Sequence, residues 1–413
     1  MKKIFDEICV IGLGFVGLTT ALSFANKNYK VLGVDNNKKL VSLLQKNKIP
    51  FFEPHLREKL KKLQKNKKLF INSKLNLDKN KNYLIFICVG TPLKNNSFYD
   101  LDNLIKVVKL VEKQASKKAY IFIKSTILPG TTKKINKIIK NKNIVACNNP
   151  EFLREGNAWE DFNYADKIVV GYEKSIFKKI TLKIYKKFNG KIILVNSDTG
   201  EIIKQLSNAM LSTLISFSNN FALLAEKYSG INIKSAFDAI KLDKRFYGNP
   251  AQISSYLHPG FGFGGYCLPK DISAIAKFSQ KYNQSSFFRN VIKVNKDIFN
   301  MQLNKILSKI KKNNTIFFLG LSFKEGTDDI RFSQPLKLAK ELIKRDNKKI
   351  ILCDNLAFNN LKNYFKKENI KVVKKPYYNN KILYILCNKE NIFLNFLKRI
   401  PKKQIIDLKY TLN

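Results

Sequence analysis

Short apolar runs alternate with amphipathic stretches along the first half of the chain. EICVIGLG is an apolar run that ends in glycines. FVGLTTALSFANKN follows it at helical spacing, and KVLGVD is a second run. LIFICVG, AYIFIKST, IVACNNP and KIVVGY continue the series. Continuous β-rich runs separated by helical stretches predict a parallel sheet covered on both faces. The rhythm breaks near residue 198. From Thr199 to about Tyr228 there is no proline, and Gly200 is the only glycine. Apolar residues fall at Ile203, Leu206, Met210, Leu214, Phe217, Phe221 and Leu224, which predicts a helix of about 30 residues and about 45 Å. Ile202, Ala209 and Thr213 widen the stripe and predict burial on more than one side. A helix of that length between two domains is a candidate subunit interface. Beyond about residue 300, TIFFLGLSF, KKIILCD, IKVVK, KILYILC and KQIIDL supply strands for a second sheet. The expected organisation is α/β: two doubly wound sheets joined by a central helical domain, divided at 1–197, 198–300 and 301–413.

Charge changes this picture little. The 413 residues carry 76 Lys+Arg against 31 Asp+Glu, a formal charge of +45. The lysines are spread along the whole chain beside Asn and Ile, which predicts a solvated cationic surface rather than a nucleic-acid interface. Small anionic ligands would be drawn to it. Two histidines, His55 and His258, argue against a His-rich metal centre and a His-based triad, so no metal site is expected. The six cysteines are widely spaced with no C-x-x-C pair, so neither a zinc ribbon nor a disulfide framework is expected. Cys9, Cys88 and Cys387 lie in apolar runs and read as small core residues. Asp6 and Glu7 interrupt the one stretch that could imitate a signal peptide, and no run of 18 or more apolar residues occurs. A soluble, cytoplasmic protein without a membrane partner is expected.

Four motifs carry candidate chemistry. Gly12-Leu13-Gly14-Phe15-Val16-Gly17 is a G-x-G-x-x-G between a strand and a helix. Gly12 permits the tight turn, Gly14 the approach of a pyrophosphate to the backbone, and Gly17 close helix–strand packing. Asp35 ends the second strand, where a carboxylate accepts both ribose hydroxyls and repels a 2′-phosphate; NAD is therefore favoured over NADP. The first sheet is thus expected to be Rossmann-like. Glu151 and Glu155, in NPEFLREGNAWEDF, share a face if that piece is helical; a solvated turn is the alternative. Lys204 and Asn208 lie one turn apart on the long helix and could hold an oxyanion, or could be ordinary surface polarity. Cys267 ends the glycine-rich loop Pro259–Gly265 plus Tyr266, with Lys270 and Asp271 just beyond. Access, backbone donors and nearby positive charge are what a thiolate nucleophile needs, although a structural cysteine in a bent loop meets the same description.

In order, IGLGFVGL with Asp35, IPFFEPHL, VGTPL, IKSTILPGTT, NPEFLREG, Lys204 and Asn208, DKR at 243–245, GFGGYCLPKD and GLSFKEGTDDIR run almost end to end. With these motifs the chain resembles the UDP-glucose/GDP-mannose dehydrogenase family, most closely its UDP-glucose 6-dehydrogenase branch. It departs at Leu40, where the family often has a basic residue, and in the segment FYGNPAQISSYLHPG.

The resemblance implies two successive NAD-dependent oxidations of a nucleotide sugar at C6 to the uronate. By that resemblance Cys267 attacks the C6 aldehyde and forms a thiohemiacetal, then a thioester that water hydrolyses. Lys204 and Asn208 would hold the oxyanion, Asp271 and Thr126 a proton-accepting water, and Glu155, assisted by Glu151, the hydrolytic base. Cofactor contacts implied are Gly12, Gly14, Phe15, Val16, Gly17 and Asp35 in the first turn, with Thr91, Ser125, Thr126, Glu155 and Arg331 beyond it. Substrate contacts implied are Phe152, Leu153, Glu155, Lys204 and Asn208, then Arg245, Tyr256, Gly264, Phe323 and Lys324. Arg245 resembles an arginine that reaches into a neighbouring subunit, which implies a homodimer. The domains become an NAD-binding domain, a helical domain with the Cys loop, and a C-terminal Rossmann-like domain for the UDP-sugar. GDP-mannose and UDP-N-acetylhexosamine enzymes are the alternatives; the latter usually carry a His where this chain has Tyr266. A sugar-nucleotide or polyanion binding protein is the non-enzymatic alternative.

Overall fold

The computed structural model describes residues 4–94, 98–227, 230–243, 259–280, 283, 286–310, 315–345, 349–368 and 370–412. The chain divides into two compact units, Met1–Leu206 and Ser207–Asn413. Each is built on its own sheet.

The strands of the first unit are β1 (Glu7–Ile11), β2 (Val31–Val34), β3 (Leu69–Asn72), β4 (Tyr83–Ile87), a small antiparallel hairpin β5 (Leu93–Lys94) and β6 (Phe98–Tyr99), then β7 (Ala119–Ile123), β8 (Ile144–Asn148), β9 (Tyr164–Gly171) and β10 (Asn189–Val195). The main sheet has the order β10-β9-β8-β7-β4-β1-β2-β3. Every residue of β1, β4 and β7 is buried, which is why those runs are apolar without alternation. Leu22, Phe24, Phe86, Phe122 and Phe177 fill one face, with the Phe24 and Phe86 rings stacked at 4.8 Å. Ile85, Ile87, Leu104, Val108 and Ile121 fill the other.

A wholly parallel sheet was expected, and the strands from β8 to β3 are parallel. β9 instead meets β8 at an antiparallel bridge, Asn148 to Gly171, and pairs in parallel with β10. The reason lies in the connection. The short helix Ala158–Asn163 runs directly into Tyr164, so the chain returns along the sheet without a full crossover. Residues 151–157 are not helical, so Glu151 and Glu155 do not share a helix face.

The second unit carries β11 (Thr315–Leu319), β12 (Ile350–Cys353), β13 (Lys371–Val373), β14 (Ile382–Leu386) and β15 (Ile405–Asp407), all parallel, in the order β13-β12-β11-β14-β15. Its core again has two layers. Ile316, Phe318, Leu338 and Leu352 lie on one face, and Phe317, Leu319, Tyr384 and Phe393 on the other.

The long helix spans Ser197–Lys227, 31 residues, and begins in the first unit and continues into the second. Its predicted stripe is only partly covered: Ala209 is buried and Ile203 and Leu214 are half-buried, Leu214 packing against Ala222, Ile233, Phe237 and Ile298. Leu206 is 66% and Met210 52% exposed, and Phe217 and Phe221 are exposed with them, their rings 5.1 Å apart. Polar residues are turned inward instead: Ser212, Ser216, Ser218 and Asn219 are buried. Each finds a partner. The hydroxyls of Ser212, Thr213 and Ser218 donate to the carbonyls of Asn208, Ala209 and Leu214 one turn earlier, and Ser216 donates to Val291 O at 3.3 Å.

One turn recurs in both sheets. Gly12 follows β1 at φ +90°, and Gly320 follows β11 at φ +90°. Gly12 N donates to Val34 O at 2.8 Å, and Gly320 N donates to Cys353 O at 2.8 Å. The next amide is then caught by the acid that ends the neighbouring strand. Leu13 N donates to Asp35 Oδ2 at 2.7 Å, and Leu321 N donates to Asp354 Oδ2 at 2.8 Å. Asp354 is 0% exposed and accepts two further amides, Ser322 N and Ala357 N. Asp354→Ala should therefore lower unfolding free energy by about 3 kcal/mol or more, since charged hydrogen bonds contribute about 1.5–3 kcal/mol each. Urea unfolding checks this, and an unchanged midpoint would remove the acid from the scaffold.

Candidate active site

The first unit gathers one set of groups at the carboxyl ends of its strands, the edge where open α/β sheets take ligands. The order reverses beside β1, between β2 and β4. Here β1 turns through Gly12 into the helix Phe15–Asn26. A Cβ on Gly12 would lie 2.9 Å from Cys88 C, and one on Gly17 would lie 1.6 Å from Gly12 O. A Cβ on Gly14 would meet nothing within 4 Å. Gly12 and Gly17 are thus demanded by packing, whereas Gly14 faces open space at a helix N-terminus. Phe15 and Val16 open that helix, whose first amides lack intrahelical acceptors and suit a diphosphate. Asp35, half-buried, accepts from Leu13 N and from Asn37 N at 2.8 Å, one amide on each oxygen. Each oxygen keeps a lone pair for a ribose hydroxyl. These residues fit NAD.

The loops after β4 and β7 are tied to each other. Thr91 Oγ1 donates to Thr126 O at 2.8 Å, and Ser125 Oγ donates to Val89 O at 2.6 Å. Beside them Lys124 is buried, its ammonium 3.4 Å from both Asn149 O and Asn149 Oδ1. Burial holds it below the usual lysine range. It stood within IKSTILPGTT, and a lysine between an apolar strand and Ser125 was the signal available.

Glu151 pairs with Lys204 at 3.2 Å, with both side chains almost wholly buried, and also accepts Leu153 N at 2.7 Å. Lys204 lies over the Phe152 ring at 5.4 Å and Lys167 at 4.5 Å. Lys204 is therefore a held cation rather than a surface lysine. Glu155 lies in the turn that precedes Gly156.

The second unit carries the other set. Cys267 is exposed and opens the helix Cys267–Gln280. Its neighbour Asp271 is buried and accepts from both Asn208 Nδ2 and Lys270 Nζ. Tyr266 lies under two cations, Lys270 at 5.5 Å and Arg331 at 5.3 Å. Arg331 also forms a two-pronged ion pair with Asp329, at 2.9 and 3.0 Å from Nε. The remaining cysteines differ. Cys9, Cys147, Cys353 and Cys387 are buried, and burial pushes all four thiols up; the Cys88 thiol is pushed up to about 12.

The glycines before Cys267 are required by contact. A Cβ on Gly264 would lie 2.6 Å from Phe332 O, and one on Gly265, at φ +72°, would lie 2.8 Å from the Phe323 ring. Phe323 and Lys324 thus stand beside this loop on the segment after β11. Lys409, missed in the sequence, pairs with Glu325 at 3.4 Å, and Glu325 also accepts Lys389 N at 3.1 Å. The segments after β11, β14 and β15 therefore meet at one carboxyl edge. Asp354 differs from Asp35 here, because its carboxylate is consumed inside the fold and offers no ribose site. Arg245 and Tyr256 lie outside the described residues. Among the described residues no group of three or more His, Cys, Asp or Glu could hold a metal ion, and no helix is long and apolar enough to cross a membrane.

Comparison with known proteins shows the family. Three domains of one family match in order: the NAD binding domain at residues 6–189, the central domain at 198–297 and the UDP binding domain at 317–413. A UDP-glucose 6-dehydrogenase of Rickettsia conorii is 35% identical over 347 residues, 82% of this chain and 79% of that protein. This chain belongs to the UDP-glucose/GDP-mannose dehydrogenase family. It is an NAD-dependent dehydrogenase of that family. Among solved structures, a UDP-glucose dehydrogenase from Pyrobaculum islandicum superposes with a TM-score of 0.87 at 27% identity, covering 98% of this chain and 94% of that one. A UDP-D-ManNAc dehydrogenase from Pyrococcus horikoshii gives 0.80 at 25% identity, covering 98% and 96%.

Asp35, at the end of the second strand with one amide on each oxygen, is the candidate for telling NAD from NADP. Asp35→Ala should shift the NAD-to-NADP ratio of kcat/KM towards NADP by about tenfold, the loss of roughly one charged hydrogen bond. Steady-state kinetics with both cofactors check this; an unchanged ratio would mean that Asp35 does not read the ribose.

Proposed function

We propose that this protein oxidises UDP-glucose at C6 to UDP-glucuronate in two steps, through a covalent bond to Cys267. The observation that carries the reading is an exposed thiol at a helix N-terminus, on a loop whose glycines cannot bear side chains, in a chain whose other cysteines are held as thiols by burial. NAD, when bound, accepts a hydride in each oxidation. Cys267 Sγ adds to the C6 aldehyde and forms a thiohemiacetal. Loss of hydride and a proton gives the thioester, which water hydrolyses to the carboxylate and free thiol. The aldehyde never leaves the enzyme.

Lys204 and Asn208 supply N–H donors to the developing oxyanion. Each is oriented by a carboxylate, Glu151 for Lys204 and Asp271 for Asn208. Such a donor contributes about 2.7–4 kcal/mol in comparable sites. A water held by Asp271 and Thr126 takes the alcohol proton, and Glu155 with Glu151 serves hydrolysis. Gly12 to Gly17, Asp35, Thr91, Ser125 and Arg331 serve NAD. Phe152, Leu153, Gly264, Phe323 and Lys324, with Arg245 and Tyr256, serve the sugar nucleotide. UDP-glucose is favoured because the curated relative from Rickettsia conorii and the solved structure from Pyrobaculum islandicum bear that substrate in their names.

A panel of UDP-glucose, GDP-mannose and UDP-N-acetylhexosamines with NAD tests the reading. About two reduced cofactors per UDP-glucose are expected, as two hydride acceptances require; one per sugar, or preference for another sugar, would overturn it. Cys267→Ala should lower turnover at least about a thousandfold, the scale of losing a nucleophile, with NAD binding retained. Near-normal steady-state rates would remove the covalent step.

We further infer a homodimer formed through the long helix. Its support is the exposed row Leu206, Met210, Phe217 and Phe221, apolar surface that a monomer leaves wet. Phe217→Glu with Phe221→Glu should halve the mass seen by light scattering. An unchanged mass would exclude this face.

A further inference from the structure

The glycine loop before Cys267 is suspended by four carboxamides from three helices. Asn219, on the long helix, accepts Gly260 N at 2.9 Å and donates to Phe261 O at 3.3 Å. Asn295 and Gln302 lie on the helix Ser286–Lys309, and Gln334 opens the helix Gln334–Arg345. Asn295 and Gln334 both donate to Phe263 O, at 3.2 and 3.3 Å. Gln302 donates to Gly260 O at 2.9 Å and also to Leu408 O at 3.3 Å.

Gln302 differs from the other three because its second bond leaves the loop. Leu408 follows β15 directly and precedes Lys409, the cation paired with Glu325 at the carboxyl edge of the second sheet. The loop itself lies on the same backbone: a Cβ on Gly260 would stand 3.5 Å from Leu408 O and 3.5 Å from Lys409 Cα. Gln302 is 1% exposed, and its own Oε1 has no partner. A buried amide with an unsatisfied acceptor is less favourable than a hydrocarbon of the same shape. Its two donated bonds are what an apolar replacement would forfeit.

We propose that Gln302 is a positioning residue that couples nucleotide diphosphate binding at the Lys409 edge to the placement of the Cys267 loop. One NH₂ group grips both carbonyls, so a displacement of the Leu408–Lys409 backbone on ligand binding is passed to Gly260 at the root of the loop. This rests on the reading that the second unit takes UDP. The loop end of the coupling is the thiol, so the response appears in its reactivity.

The test is the rate of Cys267 alkylation by iodoacetamide, followed by peptide mass spectrometry, with and without UDP, which lacks the hexose. In the natural protein UDP should change the rate by about fivefold or more, the lower end of ordinary coupling energies. In Gln302→Met the UDP effect should vanish while UDP still binds by calorimetry. In Asn295→Leu, which loosens the loop but leaves Leu408 untouched, the basal rate should change and the UDP effect persist. If Gln302→Met fails to fold, Gln302→Asn, too short to reach both carbonyls, takes its place with the same expectation. A UDP effect of natural size in the Gln302 variant overturns the coupling, as does UDP binding to the natural protein without any change in alkylation. Failure of UDP to bind the natural protein overturns both the coupling and the function on which it rests.

Discussion

The glycine turn that closes the first strand of each sheet is the constraint on which the remaining structure depends. A backbone at φ +90° cannot be held by its own preferences in a chain of L-residues, and glycine only removes the steric objection. What fixes it is electrostatic. A carboxylate at the end of the neighbouring strand accepts the amide just beyond the turn, through Asp35 in one unit and Asp354 in the other. That bond aims the following segment across the carboxyl edge of its sheet. In the first unit the segment is a helix N-terminus. In the second it is the stretch from Leu321 to Asp329, which lies against the cysteine loop.

The same device serves two purposes because the acids differ in what else they hold. Asp35 keeps free lone pairs at a half-buried position and can meet a ribose. Asp354 spends its carboxylate on three amides and can only brace the fold. The second sheet therefore repeats the turn of the first without a carboxylate open to a ribose. Cations gather at its edge instead, with Lys409 held by Glu325. The reactive loop is fixed with equal care. Its glycines lie against Phe323 and Phe332, and its carbonyls are taken by buried amides.

Much of this was legible in the sequence. The interior strands β1, β4, β7, β11 and β14 were visible because strands buried on both faces are unbroken apolar runs. β3 and β10, at the two edges of the first sheet, were missed: β3 alternates buried and exposed residues, and β10 is largely only half-buried. The Gly12–Gly17 turn with Asp35, and the loop ending at Cys267, could be read from residue types and order alone. The pairing of Lys204 with Glu151 could not, because it joins a loop to a helix far along the chain. The carboxamides around the cysteine loop were invisible for the same reason: Asn and Gln carry no signature until their carbonyl partners are known. The long helix misled in an instructive way. Hydrophobic periodicity revealed its existence and length, but Leu206, Met210, Phe217 and Phe221 of its apolar row are exposed while its serines are buried, and periodicity does not say which side of a helix another surface covers.

Those inward serines have a mechanical effect. A hydroxyl that bonds the carbonyl a turn behind it competes with the amide already bound there, and the ladder slackens locally. Ser212, Thr213 and Ser218 do this within two turns of one another. Three carbonyls in the middle of this long rod thus carry a second donor, just beyond the asparagine that grips Asp271.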